Sequence, residues 1–153
     1  MAGGPTGGSA NGSFAALRFA GVTIPAGMEV VSARLEVHAM QTQWISMGVE
    51  AALEDTGNSA GFATGLLPSQ RILTSERHHF DENSQWVANT WYPVVDVAAA
   101  LQAVVGRPDW AYGQAFTVIL RGTNGTWGRK FIDSVDTSAS LAPRLVVTFR
   151  PKP

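Results

Sequence analysis

Apolar and polar positions in the stretch Leu17 to His38, LRFAGVTIPAGMEVVSARLEVH, set a strand, a Pro/Gly turn and a second, alternating strand in succession, and predict β structure. Within it Val31, Ala33, Leu35 and Val37 share one face of a strand, and Ser32, Arg34, Glu36 and His38 share the other, the pattern of a half-buried antiparallel strand. Ile24-Pro25-Ala26-Gly27 supplies the turn before it, because proline presets φ and glycine accepts a positive φ. Met47 to Leu53 repeats the alternation. Gln70 to Ser75, Trp91 to Val95, Gln114 to Arg121, Lys130 to Asp133 and Pro143 to Phe149 read as further strands. Glu54 to Leu67, rich in Gly, Asn, Ser and Thr, reads as a long loop, and His78 to Thr90 as a polar segment without a clear period. One stretch changes period: Asp96 is a good N-cap, VAAALQAVV follows with apolar residues at helical spacing, and Gly106 offers a stop. Seven or eight strands, one helix and no internal repeat predict an all-β, antiparallel two-sheet sandwich, jelly-roll-like, over residues 14–153.

Residues 1–13 stand apart. Gly3, Gly4, Pro5, Gly7 and Gly8 cannot bury enough apolar surface to offset the entropy of ordering them. They read as a flexible arm that needs a neighbouring surface to lie on, and so as an assembly element. The arm also lacks the basic and apolar regions of a signal peptide.

Composition narrows the partners. The 153 residues include no cysteine, which removes thiol chemistry, and the domain is long enough to form a core without disulfides. A formal charge of −1 with 15% charged residues leaves no basic field for nucleic acid and no polybasic run for an anionic membrane. No apolar run approaches the roughly 18 residues of a spanning helix.

The order of segments, LRFAGVTIPAGMEVVSARLEV, then SQRILTS and a Trp-containing loop, then VVDVAAALQAVVGRPDWAYGQAFTVILRG, then SASLAPRLVVTF, resembles the DNRLRE and carbohydrate-binding-module-like β-sandwich domains from about Leu17 to Phe149. That resemblance implies a non-enzymatic module of secreted or surface proteins, with relatives of the same architecture among virion proteins. It carries over no functional motif.

Candidate chemistry is sparse. His78 and His79 with Asp81 and Glu82 invite a metal reading, yet consecutive strand side chains point to opposite faces, so no metal site is assigned to them. Glu54, Asp55 and Asn58, or Asp133 and Asp136, are the candidate Ca²⁺ ligands, without EF-hand spacing. No Gly-x-Ser-x-Gly elbow or phosphate-cradling loop occurs, and Gly122 to Gly128 reads as an Asn-Gly hairpin. No catalytic residue is assigned and no enzyme is expected.

The five tryptophans, Trp44, Trp86, Trp91, Trp110 and Trp127, fall in predicted loops or at strand ends. Trp110, after the Pro108 helix stop, is expected in the core, and Trp127 at the hairpin tip is expected at the surface. Trp127, Trp44, Trp86 and Arg129 form the candidate binding set, since indole rings stack on sugars and anchor protein contacts. Three classes compete: a phage virion surface component (capsid decoration or cement, or tail-associated) that is homo-oligomeric or docked on protein partners; a glycan-binding module at the cell surface or outside the cell; and an enzyme, for which no motif speaks. The first accounts best for an unsignalled chain with a Gly-rich tether.

Overall fold

The computed structural model describes residues 13–44, 46–64, 66–123 and 128–153. Among the described residues seven strands pack as two antiparallel sheets: β1 (Phe14–Phe19), β6 (Phe116–Thr123), β3 (Met47–Leu53) and β4 (His78–Glu82) in that order, and β5 (Trp91–Asp96), β2 (Met28–His38) and β7 (Arg144–Pro151) in that order. This is the two-sheet sandwich that the alternation predicts. Ala33, Leu35 and Val37 of β2 meet Val49, Ala51 and Leu53 of β3 and Phe116, Val118 and Leu120 of β6 in one core. The turn before β2 has Gly27 at φ 82°, the backbone conformation that its glycine was expected to supply.

The strict alternation along β2 fails at one place. Register with β7 shifts between Val30 and Ser32, so Val31 is an extra residue that turns outward, and Val30 takes the core position. The bulge also frees the Val30 amide from the ladder, and the Gln102 side-chain carbonyl accepts it at 2.8 Å.

Gln102 belongs to α1 (Ala98–Val105), which buries Ala100, Leu101, Val104 and Val105 against the sandwich. Val97 is the N-cap residue, one position later than the sequence suggests, because its carbonyl accepts the first intrahelical bond from Leu101. Asp96 still caps in effect: its carboxylate accepts the Ala98 amide at 2.8 Å and the Ala33 amide at 3.3 Å. Asp96→Ala is therefore expected to cost about 1 kcal/mol, read as a lower urea midpoint with unchanged slope. Gly106 closes the helix in right-handed geometry, φ −81°, so the left-handed glycine stop is not used. Trp110 then plugs the helix end, buried beside Phe116 with its indole N–H donated to the Ile24 carbonyl at 3.1 Å.

Two further expectations give way. Gln70 to Ser75 is not a strand: Pro68–Gln70 forms a 3-10 turn, and only Leu73 bridges Glu54. The proline at the head of the turn and the pull of Arg71 toward Glu54 outweigh the local apolar pattern. Lys130 to Asp133 contributes a single bridge, Ile132 to Ala39, because the Phe131 backbone amide is taken by the Gln43 side chain and the Lys130 ammonium by the Ser84 carbonyl. Conversely β4 forms where the sequence shows no period, as the edge partner of β3.

The connection from Glu54 to Ser75 lies over the outer face of the first sheet. Thr117 and Ile119 alternate with the core residues of β6 yet are fully buried. Arg71 fastens this cover: its guanidinium bonds Glu54 Oε2 at 2.5 Å and the Ala60 carbonyl at 3.1 Å, and the Ser59 hydroxyl donates to the same carboxylate at 2.7 Å. Gly57 is required there, since a Cβ would fall 2.5 Å from the Asp109 carbonyl oxygen.

Candidate functional site

Three chain segments interlock at one end of the sandwich: residues 39–44 after β2, residues 83–90 between β4 and β5, and residues 128–133 after β6. Ala39 donates to the Thr90 carbonyl and accepts from Asn89, each at 2.9 Å, while Gln43 and Trp86 exchange two backbone bonds at 2.8 Å. The buried Gln43 amide then works as a substitute peptide unit: Nε2 donates to the Phe131 carbonyl at 2.9 Å and Oε1 accepts the Phe131 amide at 2.8 Å. Loops fixed by this many backbone bonds hold their side chains in place.

Beneath the loops lies an aromatic and ionic layer. Trp86 is fully buried, stacked parallel on Tyr92 with ring centroids 4.7 Å apart, and its indole N–H donates to Glu82 Oε2 at 3.0 Å. The buried Lys130 ammonium lies 5.1 Å from the Trp86 ring centroid and donates to the Ser84 carbonyl at 2.8 Å. Burial lowers the pKa of Lys130, with Glu82 opposing. Burial pushes the Glu82 carboxyl up, but the Ser84 and Trp86 hydrogen bonds and the Lys130 charge outweigh it and hold that pKa below the ordinary glutamate value. Beside this layer His38 Nδ1 meets Asp133 Oδ2 at 2.7 Å, both buried, with the imidazole edge-on to Trp91. Arg144 covers Trp91 at 4.0 Å and joins Arg34 on the Glu36 carboxylate, and these hydrogen bonds, Arg144 first, lower the Glu36 pKa.

The three segments also expose apolar side chains among polar ones such as Gln41, Thr42, Gln85 and Asn89. Trp44 is 74% exposed, Met40 52%, Val87 49% and Phe131 41%, and all four belong to the interlocked segments. Rigid backbone under protruding apolar side chains suits a contact surface.

The sequence-predicted binding residues separate accordingly. Trp44 stands on this surface, and Arg129 is exposed beside the buried Lys130. Trp86 is corrected from binding residue to core: its bridge to Gln43 draws the loop inward and the Tyr92 ring covers its face. Trp127 and the arm residues Gly3, Gly4, Pro5, Gly7 and Gly8 lie outside the described residues. Most of the candidate metal ligands have other partners, while the buried His78 Nε2 has no hydrogen-bond partner among the described residues. His78 and His79 alternate along β4, with His79 3.7 Å from Glu50 and Glu82 on the Trp86 indole. Glu54 is bound by Arg71, Asp55 by Arg107, Asn58 accepts the Ala115 amide, and Asp133 holds His38. Among the described residues no group of three or more His, Cys, Asp or Glu is placed to hold a metal ion. Sequence reasoning missed Gln43, Met40, Val87 and Phe131. Position beside Trp44 and Trp86 hinted at Gln43 and Val87, and nothing in the sequence marks Met40 or Phe131.

No protein-family model matches the chain, and no curated protein matches it.

Proposed function

We propose that this is a non-catalytic β-sandwich block of a larger assembly, a phage virion surface component of the capsid-decoration or tail-associated kind. It docks on a protein partner through Met40, Trp44, Val87 and Phe131, with the Gly-rich segment 1–13 as its tether. The observation that carries the reading is the set of four exposed apolar side chains on interlocked loops. A preordered surface of this kind loses little loop entropy on docking, and an exposed indole is a usual anchor of such contacts. The second reading, a glycan-binding module of a secreted or cell-surface protein, rests on the same Trp44, whose ring is open for stacking on a sugar face.

Trp44→Ala separates the readings. It is expected to weaken co-sedimentation with phage particles by at least about tenfold, as for a central anchor, and to leave the melting temperature unchanged because the side chain is largely outside the fold. Glycan-array binding by the native chain that disappears in Trp44→Ala, with no attachment to particles, replaces the assembly reading by the glycan one.

A further inference from the structure

The two sheets leave four edge strands, and three of them are guarded. β5 carries Pro93 in mid-strand, β4 is His78-His79-Phe80-Asp81-Glu82, and β7 carries Arg144, Arg150 and a terminal Pro151. Charges and prolines on an edge are the ordinary means of preventing another chain from pairing with it. β1, Phe-Ala-Ala-Leu-Arg-Phe, has no proline and one charge. Two grooves adjoin it: one of about 610 Å³, lined by Ile132, Val135 and Pro143 but also by Asp133 and Asp136, and a more apolar one of about 250 Å³ toward Phe62, Leu66 and Leu67.

The main chain of β1 defines how it would pair. The Gly122 amide donates to the Ser13 carbonyl at 2.8 Å, so Ser13, Ala15, Leu17 and Phe19 direct their backbone groups toward β6. Phe14, Ala16 and Arg18 direct theirs outward, and among the described residues no hydrogen bond to those groups is found.

We infer that β1 is a self-association edge, pairing antiparallel with β1 of a second copy across a two-fold axis at Ala16. This register lets all three outward residues of each strand bond: Ala16 opposes the partner's Ala16, and Phe14 opposes the partner's Arg18 in both halves. The side chains agree with it. Two alanines on the axis allow the backbones to approach, and each guanidinium, whose Nε donates to its own Ser59 carbonyl at 3.0 Å, comes opposite an aromatic ring, an attractive cross-strand pair. Sliding to place Arg18 against Arg18 would oppose like charges and leave Phe14 without a partner. A two-fold contact requires a self-complementary patch, and this register meets that condition. The edge is distinct from the Trp44 surface, so the inference does not depend on what docks there.

Sedimentation equilibrium of the full chain tests it. The native protein is expected at twice the 16.2 kDa chain mass, with a melting temperature that rises with concentration. Ala16→Pro removes only an outward amide, and Ala16→Lys places two like charges on the axis. Each is expected to weaken the dimer by at least about tenfold while keeping the native circular dichroism spectrum. Trp44→Ala is expected to remain dimeric. A native chain that is monomeric at every attainable concentration, or a dimer unaffected by Ala16→Lys, overturns the inference, and the lysine variant serves alone if the proline variant fails to fold.

Discussion

Trp86→Ala is expected to lower the stability of the protein by about 3–5 kcal/mol, the range for truncating a fully buried large aromatic. The loss has two sources. Removing the indole opens a cavity under loops whose backbone bonds prevent collapse, and it leaves Tyr92 without its stacking partner. It also takes a donor from Glu82 and a ring from beneath the buried Lys130 ammonium, so two partly desolvated charges lose compensation. Urea denaturation followed by far-ultraviolet circular dichroism measures the change. Trp86→Phe restores the stack but not the indole donor and should fall between. A loss for Trp86→Ala below about 1 kcal/mol would contradict core placement.

Glu54→Ala is expected to cost a similar amount, about 3–5 kcal/mol, because it strands a guanidinium with no side-chain exposure. Two carbonyls, of Ala60 and Gly61, would still face Arg71, but no charge would balance it. The expected consequence is loosening of the 54–75 cover over Thr117 and Ile119. Amide hydrogen exchange along β6 would report it, together with the urea midpoint. Arg71→Met in the Glu54→Ala background should recover part of the loss, since replacing a whole buried pair costs less than breaking one. Equal losses in the single and double variants would show that the cover is held by packing instead.

Much of the sandwich is legible in the sequence because β2, β3, β6 and β7 each have one face in a common core, and a period of two records that directly. What stays hidden depends on partners distant in the chain. The buried placement of Glu36 and His38 on the nominally polar face of β2 follows from Arg144 and Asp133, more than ninety residues away. The outer face of β6 is buried by a loop that looks solvent-exposed in composition. Trp110 is legible as core because a proline stop precedes it and leaves the ring only the helix end to fill, whereas Trp86 is not, since the force that draws it inward is a backbone bridge to Gln43. The exposed apolar set of Met40, Trp44, Val87 and Phe131 is assembled from three segments, and no single window of sequence contains it.

The extra residue at Val31 divides β2 into two lengths that answer to different neighbours. Beyond it the strand is held by sheet partners on both sides. Just before it, the Val30 amide is held by the Gln102 side chain of the helix, and the same Gln102 donates to the Met28 carbonyl at 3.3 Å. A rotation of the helix would thus pull on the strand at its change of phase, and the next group in line is Phe149, paired with Val30 and lining the open flank of the sandwich. The helix and that flank therefore share one strand segment, Met28 to Val30, held by Gln102 on one side and by β7 on the other.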